Sequence, residues 1–178
     1  MAEEHTATLR NMALCRSLSA AELASIARIV VERAVATGKD LFREGEPGDG
    51  LYLVVSGEIN VVKLGAEGEI VLAKLGPGAV LGEMSLITSD ARSATGRAKT
   101  DAVVLHLPQA GFRRLIDSGS TAALKIACAI AETLARRLAA MNNLVLGLSS
   151  GKAAIDKTSG MKTQDLRDLH RTMQVWSF

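Results

Sequence analysis

The chain has 178 residues, with 21 Lys+Arg against 19 Asp+Glu for a formal charge of +2, so it carries no general field for nucleic acid or an anionic membrane. A hydrophobic fraction of 48% with 22% charged residues fits one folded soluble domain with a short extension and excludes a disordered chain. Aromatics at 3% exclude a stacking platform for single-stranded nucleic acid, and no apolar run reaches the length of a membrane span.

The N-terminus, Met1-Ala2-Glu3-Glu4-His5, is acidic and lacks an apolar core, so no secretory signal is expected. Residues from about 6 to 33 read as helix, with Leu23, Ile26, Ala27, Val30 and Val31 on one face. Ser19 is the expected N-cap, and Glu22 three residues later completes a capping-box pattern. Residues 1–37 therefore form an expected N-terminal helical segment. Cys15 and Cys128 lie far apart in apolar helical contexts and read as two small buried hydrophobes rather than a disulfide, which fits a cytoplasmic location.

Between 38 and 108 glycine recurs and the period changes. Short β-type runs appear at Leu51–Val55, Ile59–Leu64, Ile70–Leu75 and Val103–Leu107, with Gly65-Ala66-Glu67-Gly68 as a hairpin loop. Many short strands with glycine turns indicate a sandwich, jelly roll or barrel. Within Val104-Leu105-His106-Leu107, His106 reads as an outward-facing strand residue. His5, His106 and His170 are scattered, so no metal site is expected.

From 109 the helical period returns. Pro108 suits the first turn of a helix and Gly119 its end. Ser118 or Ser120 then caps a long helix to about Leu148, in which Ala127, Ile130, Leu134, Leu138, Met141, Val145 and Leu148 are spaced 3, 4, 4, 3, 4, 3. That is close to a coiled-coil seam. The helix exceeds what a small barrel needs, so a homodimer through residues 120–148 is expected. Residues 149–160 read as a linker, and Leu166, Leu169, Met173 and Trp176 as the apolar face of a tail helix capped by Thr163, within a tail at 149–178.

The chemistry concentrates at 81–98, where Leu81-Gly82-Glu83-Met84-Ser85-Leu86 precedes Asp90-Ala91-Arg92-Ser93-Ala94-Thr95-Gly96-Arg97-Ala98. Gly82 permits a tight turn and close approach to a ligand. Glu83-Met84-Ser85-Leu86 can form a helical turn whose free N–H groups attract an anion. Arg92 supplies a permanent charge with a planar fork for phosphate oxygens, and Ser93 a hydroxyl donor. Glu83 would repel a phosphate, but it makes sense as an acceptor from a sugar hydroxyl beside it. The expected ligand is a compact phosphate fused to a ribose.

This stretch resembles the phosphate-binding cassette of cyclic-nucleotide-binding domains, the sensor domains of bacterial catabolite activators, cyclic-AMP-dependent kinase regulatory subunits and cyclic-nucleotide-gated channels. The resemblance covers roughly residues 12–148 and includes the approach Phe42-Arg43-Glu44-Gly45-Glu46-Pro47-Gly48-Asp49 and the strand Leu51-Tyr52-Leu53-Val54-Val55-Ser56-Gly57. It implies a mainly β fold with flanking helices: an antiparallel β-roll or jelly roll (a double-stranded β-helix) with N-terminal helices, a β-roll at 38–108, a short cassette helix and C-terminal helices at 109–148. It further implies that Arg92 and Ser93 bind the cyclic phosphate, Glu83 the ribose 2′-hydroxyl, and Gly82, Met84 and Ser85 contribute backbone contacts. Val61 and Leu72 fall where the family lines its pocket with apolar side chains. The local match Leu134-Ala135-Arg136-Arg137-Leu138 makes Asn142, with Asn143, the candidate for base contact. Arg97, Arg136 and Arg137 are expected on solvated faces or in salt bridges. The chain departs from the family at Leu81, Ala91, Gly96 and Met141, where Phe, Pro, Val and a hydroxyl residue are usual.

The expected function is a non-enzymatic sensor of a cyclic purine monophosphate, cyclic AMP before cyclic GMP because Ser93 follows Arg92, acting on a second copy or a protein effector. About 30 residues follow Leu148 and show no recognition-helix pattern, so direct DNA binding is not expected; the alternative is a transcriptional regulator of the catabolite activator family lacking a recognisable helix-turn-helix, or a cyclic-GMP-binding version of the same sensor.

Overall fold

The computed structural model describes residues 2–65, 68–88 and 90–155. Of the linker and tail expected at 149–178, residues 156–178 lie outside these residues. The N-terminal segment is α1 (Ala2–Arg10), a 3-10 turn (Ala13–Cys15) and α2 (Ala20–Ala27). Both halves of the capping box form. Ser19 Oγ accepts from the Glu22 N–H, and the Glu22 carboxylate accepts from the Ser19 N–H at 2.7 Å. The helix expected as far as residue 33 stops at Ala27, and Val31–Val35 is a strand, β1. β-branched Val30 and Val31 are poor helix formers, and β1 satisfies its backbone along a partner strand that local periodicity cannot reveal.

The strands that follow are β2 (Asp40–Phe42), β3 (Gly50–Ser56), β4 (Ile59–Gly65), β5 (Gly68–Leu75), β6 (Val80–Leu81), β7 (Thr95–Ala98) and β8 (Ala102–Pro108), with α3 (Glu83–Thr88) between β6 and β7. They form two four-stranded antiparallel sheets, ordered β1-β8-β3-β6 and β2-β7-β4-β5. This is the mainly β roll with flanking helices expected from the sequence. The hairpin between β4 and β5 closes at the expected glycines, with Gly65 opposite Gly68. The short strands β2, β6 and β7 carry too few alternating residues to be read from sequence.

Alternation along β3 and β8 shows where the cores sit. Leu51, Leu53, Leu105 and Leu107 face a core shared with Leu9, Ile26, Phe112, Ile126 and Ile130 of the helices. Tyr52, Val54 and Val104 face the space between the sheets, with Ile59, Leu75, Leu81 and Ala98. This sheet is therefore covered on both faces. His106, expected to point outward, is 3% exposed, because it shares the inter-sheet face with Val104 and the opposite face is buried by helices.

Pro108 caps α4 (Gln109–Asp117), and α5 runs from Thr121 to Ile155. Residues 149–155, expected as linker, are helical. The apolar seam of α5 divides. Ile130 is buried, and Ala127 and Leu134 pack against the helix-side core. Leu138 and Met141 are 61% and 52% exposed. Lys125 ties α5 to α2 by donating to the Glu22 carboxylate at 2.8 Å, which holds that carboxyl below its usual range. Both cysteines are free; Cys15 is buried, its thiol pushed up to about 12 by desolvation, whereas Cys128 is exposed, contrary to expectation. Its α5 position lies off the stripe that meets the core.

Candidate functional site

Gly82 turns the chain from β6 into α3 with φ +74°, a left-handed conformation that favours glycine. A Cβ there would lie 2.2 Å from an Arg92 nitrogen, so the same residue makes room for the guanidinium. Gly48 plays a packing role on the facing loop, since a Cβ would meet Ser85 Cβ at 2.2 Å.

The loop at 45–49 fixes Arg92. The Arg92 N–H donates to the Glu46 carbonyl at 2.8 Å, and its carbonyl accepts from the Gly45 N–H at 2.9 Å. Arg92 is 3% exposed. Nη1 donates to the Gly82 carbonyl at 3.3 Å and Nη2 to Asp49 Oδ1 at 2.5 Å. The guanidinium lies 4.2 Å from the Phe42 ring centroid and 5.4 Å from that of Tyr52, a placement favourable to a cation. Gly96 makes space for this packing, because a Cβ there would come within 3.0 Å of Phe42. Arg92 Nε is buried with no hydrogen-bond partner among the described residues. A buried charged N–H without an acceptor is costly. An anionic acceptor in this pocket would satisfy it.

Beside Arg92 the first turn of α3 presents backbone N–H groups that have no partner within the helix. Glu83 opens that turn. It is 6% exposed, and its carboxylate accepts from Arg137 Nη1 of α5. Gln109 steadies α3 by donating to the Ser85 carbonyl at 2.6 Å. Gly82, Glu83, Met84, Ser85, Arg92, Ser93 and Val61 all line one pocket between the sheets, the cassette and α5. The arrangement offers a fixed cation, backbone donors and a carboxylate a short distance apart, over an apolar wall. That combination suits a small anion joined to a hydroxylated ring.

The matches with known proteins agree. The family model for the cyclic nucleotide-binding domain matches residues 32–118. The cyclic nucleotide-gated potassium channel mll3241 of Mesorhizobium japonicum is 39% identical over 105 residues, 59% of this chain and 28% of the channel. The cAMP-dependent protein kinase regulatory subunit of Aspergillus niger is 37% identical over 112 residues, 63% of this chain and 27% of the subunit. The structure of a cyclic nucleotide-binding-like protein from Brucella abortus is 31% identical with a TM-score of 0.56, over 64% of this chain and 98% of that one. The chain belongs to the cyclic nucleotide-binding domain family. It spans about a quarter of the length of these two curated relatives.

Three expected site residues of this cyclic nucleotide-binding domain are not brought to the pocket. Leu72 is the extra residue of a bulge, since Val61 pairs with Ala73 and Val62 with Val71. The bulge breaks the alternation that would have set Leu72 beside Val61, and Leu75 lines the pocket instead. Asn142 and Asn143 are exposed on α5 and do not line it. Ser93 is exposed at the rim, where its carbonyl accepts from Lys63 Nζ at 3.0 Å.

Sequence reasoning missed a group of residues behind Arg92. The Tyr52 hydroxyl donates to Asp49 at 3.1 Å, and Arg33 Nη1 approaches that hydroxyl at 3.3 Å. The Tyr52 ring stacks on His106 at 4.5 Å and on Phe42 at 5.6 Å. Burial beside the Asp49 carboxylate pushes the Tyr52 phenol up to about 12. The only local hint was an acidic residue ending the approach motif, because the partners come from β1, β3, β8 and the cassette. Arg137 was expected on a solvated face or in a salt bridge; it forms the ion pair with Glu83, and both side chains are buried. Among the described residues no group of acidic, His and Cys side chains could hold a metal ion, and no helix is long and apolar enough to cross a membrane.

Proposed function

We propose that this domain is a cytoplasmic, non-enzymatic sensor of cyclic AMP that passes ligand binding through α5 to a second copy or a protein effector. One observation carries the reading: a buried arginine, held by Asp49 and Gly82, keeps an unsatisfied Nε–H in a pocket rimmed by the start of α3. In this reading Arg92 and Ser93 take the cyclic phosphate, with the N–H groups of Glu83, Met84 and Ser85. Glu83 takes the ribose 2′-hydroxyl, and Val61 and Leu75 cover the ring systems. Arg137 couples the ribose to α5, because the carboxylate it holds is the one the sugar needs. Ligand then favours one arrangement of cassette and α5 over another by its differential affinity. Asn142 and Asn143 reach the base only if α5 closes over the pocket.

Calorimetry with cyclic AMP, cyclic GMP and 5′-AMP tests the reading. Cyclic AMP is expected to bind most tightly, and Arg92→Ala to lose about 30- to 1,000-fold in affinity, equivalent to roughly 2–4 kcal/mol. Wild-type affinity in Arg92→Ala would overturn it. Ser93→Ala serves as the milder check on the phosphate contact.

A further inference from the structure

We infer that His106 is a positioning residue for Arg92, acting through Asp49, and that it makes occupancy of this pocket rise as the solution is acidified. The inference rests on the reading of the pocket as a cyclic nucleotide site. His106 Nε2 lies 3.5 Å from Asp49 Oδ1, the same oxygen that accepts from Arg92 Nη2. The imidazole is held flat against the Tyr52 ring, with 16° between the planes. A Cβ on Gly50 would lie 2.9 Å from His106 Nε2, so backbone closes the site on that side. Both imidazole nitrogens are buried, and the Asp49 backbone beside the ring favours its protonated form.

The charged and titratable groups facing this imidazole are Asp49 from the loop before β3, Tyr52 from β3, Arg33 from β1 and Arg92 from the cassette loop. Burial is the largest influence on His106 and lowers its proton affinity, Asp49 opposes this, and the two arginines add to it. The ring is therefore neutral at pH 7, and Arg92 holds Oδ1. Protonation puts a positive charge on the ring, with Nε2 3.5 Å from that oxygen. Arg92 then shares its carboxylate with a competing cation, and three cations surround one anion. An anionic phosphodiester on Arg92 relieves that excess. A cyclic phosphodiester has no second acidic proton, so its own charge does not change over the range in question. By linkage, a ligand that favours the protonated ring must bind with proton uptake.

Titration calorimetry of the full chain with cyclic AMP between pH 8 and 5.5, in buffers of different ionisation enthalpy, tests this. The association constant is expected to rise about 5- to 10-fold towards the acidic end, with fractional proton uptake. His106→Gln is expected to bind with neither slope nor uptake. NMR of the His106 ring in the wild type gives a second reading: its titration midpoint should move up when ligand is bound. If His106→Gln does not fold, Asp49→Asn replaces it and is expected to bind more weakly and without the slope. A slope absent or inverted in the wild type, or equal in the two proteins, overturns the inference and leaves the sensor reading standing. Absence of cyclic AMP binding at every pH overturns the sensor reading and this inference with it.

Discussion

Glu83 and Arg137 are 54 residues apart in the chain and meet in a buried ion pair that joins the cassette helix to α5. Their side chains are 8% and 10% exposed. Such a pair contributes little net stability as a unit, but breaking it strands a buried charge. Arg137→Ala is expected to destabilise the fold by about 3–5 kcal/mol in denaturant melts, and Arg137→Met with Glu83→Leu to recover most of that loss. A melt for Arg137→Ala that overlays the wild type would show that the pair does not hold α5 to the cassette.

Gly82 and Gly78 offer a controlled comparison. Both have positive φ, but a Cβ on Gly78 meets nothing within 4 Å, whereas one on Gly82 strikes Arg92. Alanine at either site costs about 1–2 kcal/mol of backbone strain. Only Gly82→Ala is expected to weaken cyclic AMP binding, by about 10-fold or more for a displaced charged hydrogen bond. Equal affinities in the two variants would argue that Arg92 has freedom to shift.

The acid limb of stability should depend on Asp40. Arg97 and Arg43 donate to its carboxylate at 2.6 and 2.9 Å and hold it below the ordinary value of 3.8. A carboxyl depressed in the folded state stabilises the fold above its unfolded pKa, and that contribution fades as pH falls through the folded one. Asp40→Asn is expected to lower stability near neutrality and to flatten the loss below about pH 4. Thermal melts at pH 7, 4 and 3 check this; parallel curves for the two proteins would place the acid sensitivity elsewhere.

The exposed half of the α5 seam bears on assembly. Leu138 and Met141 stand clear of the domain's own core, as residues covered by a second copy would. Leu138→Lys with Met141→Glu is expected to shift the chain from dimer to monomer in sedimentation velocity, with cyclic AMP affinity changed less than threefold. A wild type that sediments as a monomer at 100 μM would remove the homodimer from the proposal.

The recurring glycines between short β-type runs limit the middle of the chain to a sandwich, jelly roll or barrel, and the capping box at Ser19 and Glu22 sets the α2 start, because each is a local conformational demand that few residues meet; the resemblance of residues 81–98 to a phosphate-binding cassette narrowed the choice to the β-roll. Tertiary structure alone decided the rest. β1 is a strand because β8 offers it a partner, and His106 is inside because helices bury the other face of its sheet. Asp49, Tyr52, His106 and Arg137 converge on Arg92 and Glu83 from distant parts of the chain. Pairing across a sheet or between helix and loop depends on three-dimensional distance, which residue order does not encode one position at a time.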